Sequence, residues 1–327
     1  MNENKFAFSI VLPLYNKEKH ILRAILSVLQ QSYQEFELII VNDGSTDASV
    51  EKAMEIIDPR INIIHQKNRG VSAARNRGVA ETRYELLAFL DADDEWLPEF
   101  LENMTFLIKK FPESGLYGSS HYRVEKNQKL TVSSLYSEIP LGWLGVFDSY
   151  FDQIGSILPY HSSSVCIPRE KFLKVGGFKE GVSYWEDTDL WMRLALEFPV
   201  AFVNKPLSIY HLDAENRSIH HIKNHCQILN TWEDMVIKNE IPEKHRTTFV
   251  EFLARYQLMF GKIFLKNGYN QQSKEILTKI KSNSKYYNES IKLMKLAKLP
   301  SFLSKNIIRL INRLKYTSKK IEDYYGL

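Results

Sequence analysis

The sequence predicts an α/β protein with a mostly parallel central sheet, followed by a helical C-terminal region. Three observations lead there. Apolar, strand-like runs and amphipathic, helix-like runs alternate four times between residues 6 and 90, and a chain that alternates this way forms a parallel sheet with helices on both faces. Strand signals stop near residue 220, where helical spacing takes over. Polar signatures follow the first, second and fourth strand runs, as "PLYN", "NDGSTD" and "DADD", at the carboxyl ends where such sheets bind ligands.

Each element has its own warrant. "FAFSIVL" (6–12) reads as a buried strand; the helix after it carries Ile21, Ile25, Val28 and Leu29 at helical spacing, with Asn16 as its expected N-cap. "FELIIV" (36–41) is the second strand, Asp47 caps a helix through Ile57, "INIIH" (61–65) is the third strand, "GVSAARNRGVAET" is a helix and "YELLAFL" the fourth strand. From 112 to 167 the pattern loosens: "GLYGSSHYRV" and "SSSVCI" read as strands flanking a helix near "WLGVFDSYF". "PREKFLKVGGF" is a short helix opened by Pro168 and closed by Gly176. The boundary is expected near residue 218, giving an α/β domain over 1–218 and a helical region over 219–327 with a basic amphipathic tail.

With 327 residues, 44% of them apolar, the chain can bury one large core and a smaller one. Cys166 and Cys226 are far apart and lack ligand spacing, so a zinc site and a disulfide framework are not expected, and a reducing compartment is. No run approaches eighteen apolar residues and the start lacks the features of a signal peptide, which points to the cytoplasm. The net charge of +4 is uneven: residues 271–327 carry 13 Lys and Arg against 4 Asp and Glu, a surplus of +9. That basic tail lacks a nucleic-acid recognition motif, so a nucleic-acid partner is not expected.

"DADD" gathers Asp91, Asp93 and Asp94 at a strand end. Carboxylates so close repel one another, and something cationic should sit among them. One reading makes Asp94 a helix cap with solvated neighbours; the other makes the turn a seat for a hard divalent cation, Mn2+ or Mg2+, that shares its coordination sphere with substrate phosphates. Glu186, Asp187 and Asp189 in "YWEDTDLWMRL" open an amphipathic helix, where the helix dipole favours acids whatever their function.

"IVLPLYN", "IIVNDGSTDAS", "NRGVSAARNRGV", "FLDADDEW", "VGGF" and "WEDTDLWMRLA", in this order, resemble family 2 glycosyltransferases with the GT-A fold, over residues 6 to 218. The resemblance implies a nucleotide-sugar site in which Tyr15 stacks on the base, Asp43 hydrogen-bonds it, Arg75 contacts base or diphosphate, Asp91 faces the ribose and Asp93 binds the metal. Taken alone, Tyr15 reads as a core aromatic and Asp43 as a turn former before Gly44, while Arg75 reads equally as a partner in a surface salt bridge. The resemblance makes Asp187 the general base of an inverting transfer, with Glu186 as runner-up. Many family members carry a Tyr-Arg-x-His near the domain end; here Tyr210 is followed by His211, and Asp213 stands at the usual His position. His211 is therefore a candidate metal ligand beside a structural reading of the same residue.

These readings combine into a metal-dependent inverting transferase that moves a hexosyl or N-acetylhexosaminyl group from a UDP-sugar to a hydroxyl of a surface polysaccharide or lipid-linked glycan. The alternative is a catalytically inert nucleotide-sugar-binding or scaffold protein on the same fold. The tail, with Leu303, Ile307, Leu310, Ile311 and Leu314 on one face and Lys305, Arg309, Arg313 and Lys315 among its polar positions, reads either as a helix docked on its own domain or as a peripheral contact with the inner face of the cell membrane.

Overall fold

The computed structural model describes residues 6–125, 127, 129–132, 139–154, 158–182, 184–212 and 227–315, with side chains as far as 311. The chain divides into two compact units, Met1–Asp148 with Leu158–Ser218, and Ser149–Ile157 with Ile219–Leu327.

The first unit opens with the predicted alternation: β1 (Phe8–Leu14), α1 (Ile21–Leu29), β2 (Phe36–Asn42), α2 (Ser49–Met54), β3 (Ile61–His65), α3 (Val71–Ala80) and β4 (Leu86–Phe89). It continues through β5 (Glu95–Trp96), α4 (Phe100–Lys110), β6 (Leu116–Val124), β7 (Leu130–Val132) and β8 (Leu144–Val146). After α5 (Tyr150–Gln153), which belongs to the second unit, come β9 (Val165–Pro168), α6 (Arg169–Lys174), α7 (Glu186–Glu197) and β10 (Val200–His211). The sheet runs β3-β2-β1-β4-β9-β6-β10-β5. Pairing is parallel from β3 to β4 and between β6 and β10, and β9 lies antiparallel between β4 and β6.

Register places the site. β1 and β2 pair from Phe8↔Phe36 to Leu14↔Asn42, so Tyr15 and Asp43 leave the sheet side by side, and the Asp43 N–H donates to the Leu14 carbonyl at 2.8 Å. β4 pairs with β1 as far as Val11↔Phe89, which delivers Asp91 to the same edge. β1 is buried on both faces, as a central parallel strand must be. α3 lies close over it because Gly78 has no side chain; a Cβ there would meet Val11 Cγ1 at 2.3 Å.

Several local expectations differ from what forms; Asp47, for instance, does not cap α2, whose N-cap is Ala48 and which ends at Met54. Asn16 does not cap α1, whose N-cap is His20. It sits at φ 50°, a left-handed conformation Asn tolerates, and its side-chain oxygen accepts the Thr46 N–H at 2.8 Å. The helix expected near 143–151 is a strand, β8, followed by the single turn α5. In "SSSVCI" only the second half extends, Ser162–Ser164 being a 3-10 turn. This stretch mixes aromatic and polar residues without a clear period, so propensity had little to read.

The second unit is helical: α5, α8 (Gln227–Ile237), α10 (Asn270–Leu277), α11 (Tyr287–Leu296) and α12 (Ser301–Lys315) all pack on α9 (Glu243–Asn267). α9 is its spine. Phe151, Trp232, Phe249, Phe252 and Tyr256 stack around it, and buried Arg255 donates to the Ile154 carbonyl and to the Tyr286 hydroxyl. No helix among the described residues is long and apolar enough to cross a membrane.

Candidate active site

Tyr15 and the residues after it form a rigid loop. The Asn16 N–H donates to Ser45 Oγ, that of Lys17 to Ser49 Oγ and that of Glu18 to Asp47 Oδ2, at 3.2, 2.7 and 3.2 Å. "NDGSTD" therefore works as a clamp on "YNKE". The Tyr15 ring stands 47% exposed, which rules out the core-aromatic reading. Asp43 is buried, with one carboxylate oxygen accepting from Gln66 Nε2 and the Arg69 N–H and the other from the Gly70 N–H. It thus orders the loop that leads into α3, a task not evident from sequence. Gly44, at φ 75° with Asn68 N only 3.0 Å from where a Cβ would sit, makes that turn possible.

Arg75 is the centre of the site. Its side chain is almost wholly buried, with Nη2 2.6 Å from Asp91 Oδ1 and Nη1 3.0 Å from Glu186 Oε1, and the guanidinium lies over the Phe178 ring at 5.0 Å. Burial works against its charge, but Asp91, Glu186 and Asp187 outweigh this and hold its pKa above the ordinary value. The surface salt-bridge reading of Arg75 does not hold.

The three aspartates of "DADD" are neutralised in three ways. Asp91 has Arg75. Asp93 has Lys17, whose Nζ is 2.7 Å from Oδ2, and both side chains are largely buried. Asp94 is buried, and among the described residues its one basic neighbour within ion-pair distance is a His161 ring nitrogen at 3.5 Å; burial, then Asp93 and Asp91, raise its pKa well above the usual carboxylate range. Its oxygens accept from Ser163 Oγ at 2.6 Å and the His211 N–H at 3.2 Å. Ser163 also accepts the Asp91 N–H at 3.0 Å, and its carbonyl takes Trp96 Nε1 at 2.7 Å. Lys17 and Ser163, both missed in the sequence, thus shape the turn. Lys17 was findable, since it directly follows "YN"; Ser163, one of three serines in a poorly patterned stretch, was not.

The start of α7 is built differently. Trp185, its N-cap, has φ 65°, an uncommon conformation for a bulky side chain and a strained entry to the helix. Glu186 is tied to Arg75, whereas Asp187 forms no ion pair among the described residues; its Oδ1 accepts the Thr188 N–H at 2.6 Å. Burial and the neighbouring Glu186 push the Asp187 pKa up to about 7, against the pull of Arg75. Asp189 points away, buried between Lys179 and Arg193. Arg193 also holds the Val175 and Gly177 carbonyls, and the Asn76 side chain both donates to and accepts from the Phe178 backbone. "VGGF" is therefore the brace that sets α7 against α3.

His211 ends β10 with its Nε2 2.9 Å from Glu95 Oε1, and Asp213 lies outside the described residues. Among the described residues no group of three His, Cys, Asp or Glu side chains is placed to hold a metal ion. The donor chemistry nevertheless suits a divalent cation completed by substrate. Asp91, Asp93, Glu186 and Asp187 outnumber the cations Arg75 and Lys17 paired among them. A diphosphate entering alone would meet net negative charge, and Mg2+-type sites commonly combine one or two carboxylates with substrate phosphates.

A large, mostly parallel sheet followed by C-terminal helices matches solved glycosyltransferases of the GT-A fold. The chain aligns over 90% of its length with Staphylococcus aureus TarS residues 1–349, solved in complex with UDP-GlcNAc, at 15% identity, TM-score 0.68 and 90% coverage of that chain. It aligns over 97% with the mannosyltransferase PcManGT of Pyrobaculum calidifontis, solved with GDP-Man and Mn2+, at 14% identity, TM-score 0.60 and 89% coverage. The sequence profile of glycosyl transferase family 2 matches residues 9–180; the chain belongs to that family. An uncharacterized glycosyltransferase of Rickettsia felis is 27% identical over 263 residues, 75% of this chain, which spans only 42% of that relative's length.

Proposed function

We propose that the protein is an inverting glycosyltransferase that takes a sugar from a UDP-sugar and delivers it to a hydroxyl of a glycan or lipid-linked glycan used in surface polysaccharide synthesis. The observation that carries this reading is the pair of carboxylates at the start of α7, one held by Arg75 and the other left without an ion pair at a raised pKa. A general base works best with a pKa near the operating pH. Asp187 fits that requirement better than Glu186, whose charge is paired with Arg75 through Oε1.

In this reading Tyr15 supplies an exposed ring for the base, and Asp43, with one acceptor site left on Oδ2 after its loop contacts, accepts the imide N–H of uracil. Asp91, fixed by Arg75 and Ser163, faces the ribose. Asp187 removes the acceptor proton as the acceptor oxygen attacks the anomeric carbon from the face opposite the departing UDP. Asp93 would hold a Mn2+ or Mg2+ ion, which supplies positive charge to the leaving diphosphate when bound. His211 serves the site indirectly by fixing Glu95. A cytoplasmic setting follows if the donor is a cytoplasmic nucleotide sugar.

The test is a panel of UDP- and GDP-sugars scored for slow hydrolysis and for thermal stabilisation, with Mn2+ and with EDTA. A UDP-sugar that stabilises the protein and is turned over supports the reading. Stabilisation without any turnover, with or without candidate acceptors, favours the inert binding protein instead. No stabilisation by any nucleotide sugar removes both.

A further inference from the structure

The second unit carries a surface that sugar transfer does not use. α12 rests on α9 by one side only: Ser304 and Ile308 are buried, and Ser304 Oγ donates to Asn270 Oδ1 at 2.9 Å. At 100° per residue, Phe302, Leu303, Asn306 and Leu310 fall on the opposite side. Phe302 is 65% exposed, Leu310 56% and Leu303 39%. The two readings of the tail are thus compatible, because the helix docks and still presents an apolar face.

Charge says what that face fits. Between Glu289 and Glu322 the chain carries nine Lys and Arg and no acid. Within the described part, Lys292, Lys295, Lys298 and Arg309 are exposed, Lys305 is partly so, and none of the five forms an ion pair among the described residues. Glu289 is taken by Lys262 at 2.8 Å. A second copy of the chain would bring the same positive surface and be repelled, and a nucleic acid would leave Phe302 and Leu310 without a role. A bilayer containing anionic lipid meets both features, with headgroups for the lysines and the acyl boundary for the apolar side chains.

We propose that the exposed faces of α11 and α12 form a docking surface for an anionic lipid membrane. The surface lies wholly within the second unit and does not rest on the transfer reading. Its attraction has two parts, one electrostatic and screened by salt, the other apolar and salt-resistant.

The full chain is floated with vesicles of phosphatidylcholine containing phosphatidylglycerol and with vesicles of phosphatidylcholine alone. The expected result is flotation with the anionic vesicles only, lost as salt is raised. The Phe302→Ser/Leu310→Ser variant and the Lys292→Glu/Lys295→Glu/Lys298→Glu variant should each cut the bound fraction by about tenfold, with melting temperatures close to that of the unchanged protein because all five side chains are exposed. Absence of flotation, equal flotation with phosphatidylcholine alone, or full binding by the charge-reversed variant overturns the proposal. A dimer in sedimentation that Phe302→Ser/Leu310→Ser dissolves, without lipid binding, assigns the face to a second copy instead. Stabilisation by UDP, measured on the same samples, reports on the transfer reading alone and should be equal in all three proteins.

Discussion

The turn after β4 and the start of α7 both bring acids to one cleft, yet their charges are balanced by opposite strategies. In the turn each aspartate has its own remedy: Arg75 for Asp91, Lys17 for Asp93, and burial with Ser163 for Asp94. At α7 two adjacent acids share one arginine, which bonds Glu186 and leaves Asp187 crowded but not ion-paired. In the proposed reading the turn's acids are thereby held for donor and metal, while Asp187 is left to take a proton.

Removing the cation common to both clusters should break the comparison most severely. Arg75→Met leaves Asp91 and Glu186 facing each other without a counter-ion, and loss of one partner from a buried ion pair typically costs about 3–5 kcal/mol. Urea denaturation should show that loss, together with abolished stabilisation by UDP. A drop below about 1 kcal/mol, the range of surface pairs, would mean that Arg75 is not the hub.

Asp187→Asn sharpens the contrast, since it removes the unpaired acid and keeps its shape. Turnover of the donor identified by the panel should fall roughly 10² to 10⁴-fold with UDP affinity preserved. Glu186→Gln should be milder in chemistry and harsher in stability, because it unpairs Arg75. Near-normal transfer by Asp187→Asn removes Asp187 from the mechanism.

Proton linkage gives a third and smaller effect. Burial and the neighbouring Glu186 raise the folded-state pKa of Asp187 to about 7, above the 3.8 of an unperturbed aspartate. The folded state therefore favours the protonated acid, and the stability this contributes is present in full below pH 3.8 and lost as pH rises towards 7 and just beyond. Asp187→Asn should accordingly raise the melting temperature relative to the unchanged protein, by more at pH 8 than at pH 5. Activity of the unchanged protein should move the other way, with kcat/KM rising through pH 7 as the base ionises. An equal shift at both pH values would show that Asp187 is already ionised at pH 5.

The mildest change is at Lys17. Replacing it with Met removes the ammonium that competes for Asp93, so Mn2+ alone, titrated calorimetrically without nucleotide, should bind a few-fold more tightly, the size expected of one partly screened ion pair. Unchanged or weaker Mn2+ binding would place the cation elsewhere.

How much of this was legible in the sequence follows from where the signals lie. The β1–β4 alternation is local and periodic, so four strands and the edge they share could be read from residues 6 to 90. Tyr15, Asp43, Asp91 and Asp187 could be singled out because their motifs are short and contiguous. The antiparallel insertion of β9, the 3-10 turn carrying Ser163 and the reach of Arg75 to Glu186 depend on pairings between distant segments, and no window of sequence contains both partners. The repulsion within "DADD" is evident from sequence, but the cations that answer it, Arg75 in α3 and Lys17 after β1, lie 16 residues before Asp91 and 76 before Asp93, and a purely local argument assigns their charge to an external ion.

Arg75 and Glu186 are separated by 111 residues, and that separation bears on how the protein is made. During synthesis β1 to β4 emerge first and hold most of their own sheet partners, so this half can begin to condense while α7 is still in the ribosome. Until then Arg75 has Asp91 alone. In the proposed reading, Tyr15, Asp43 and Asp91, which would hold the nucleotide, are thus made well before Asp187 in α7, so a nascent chain acquires the means to bind a donor before the means to use it.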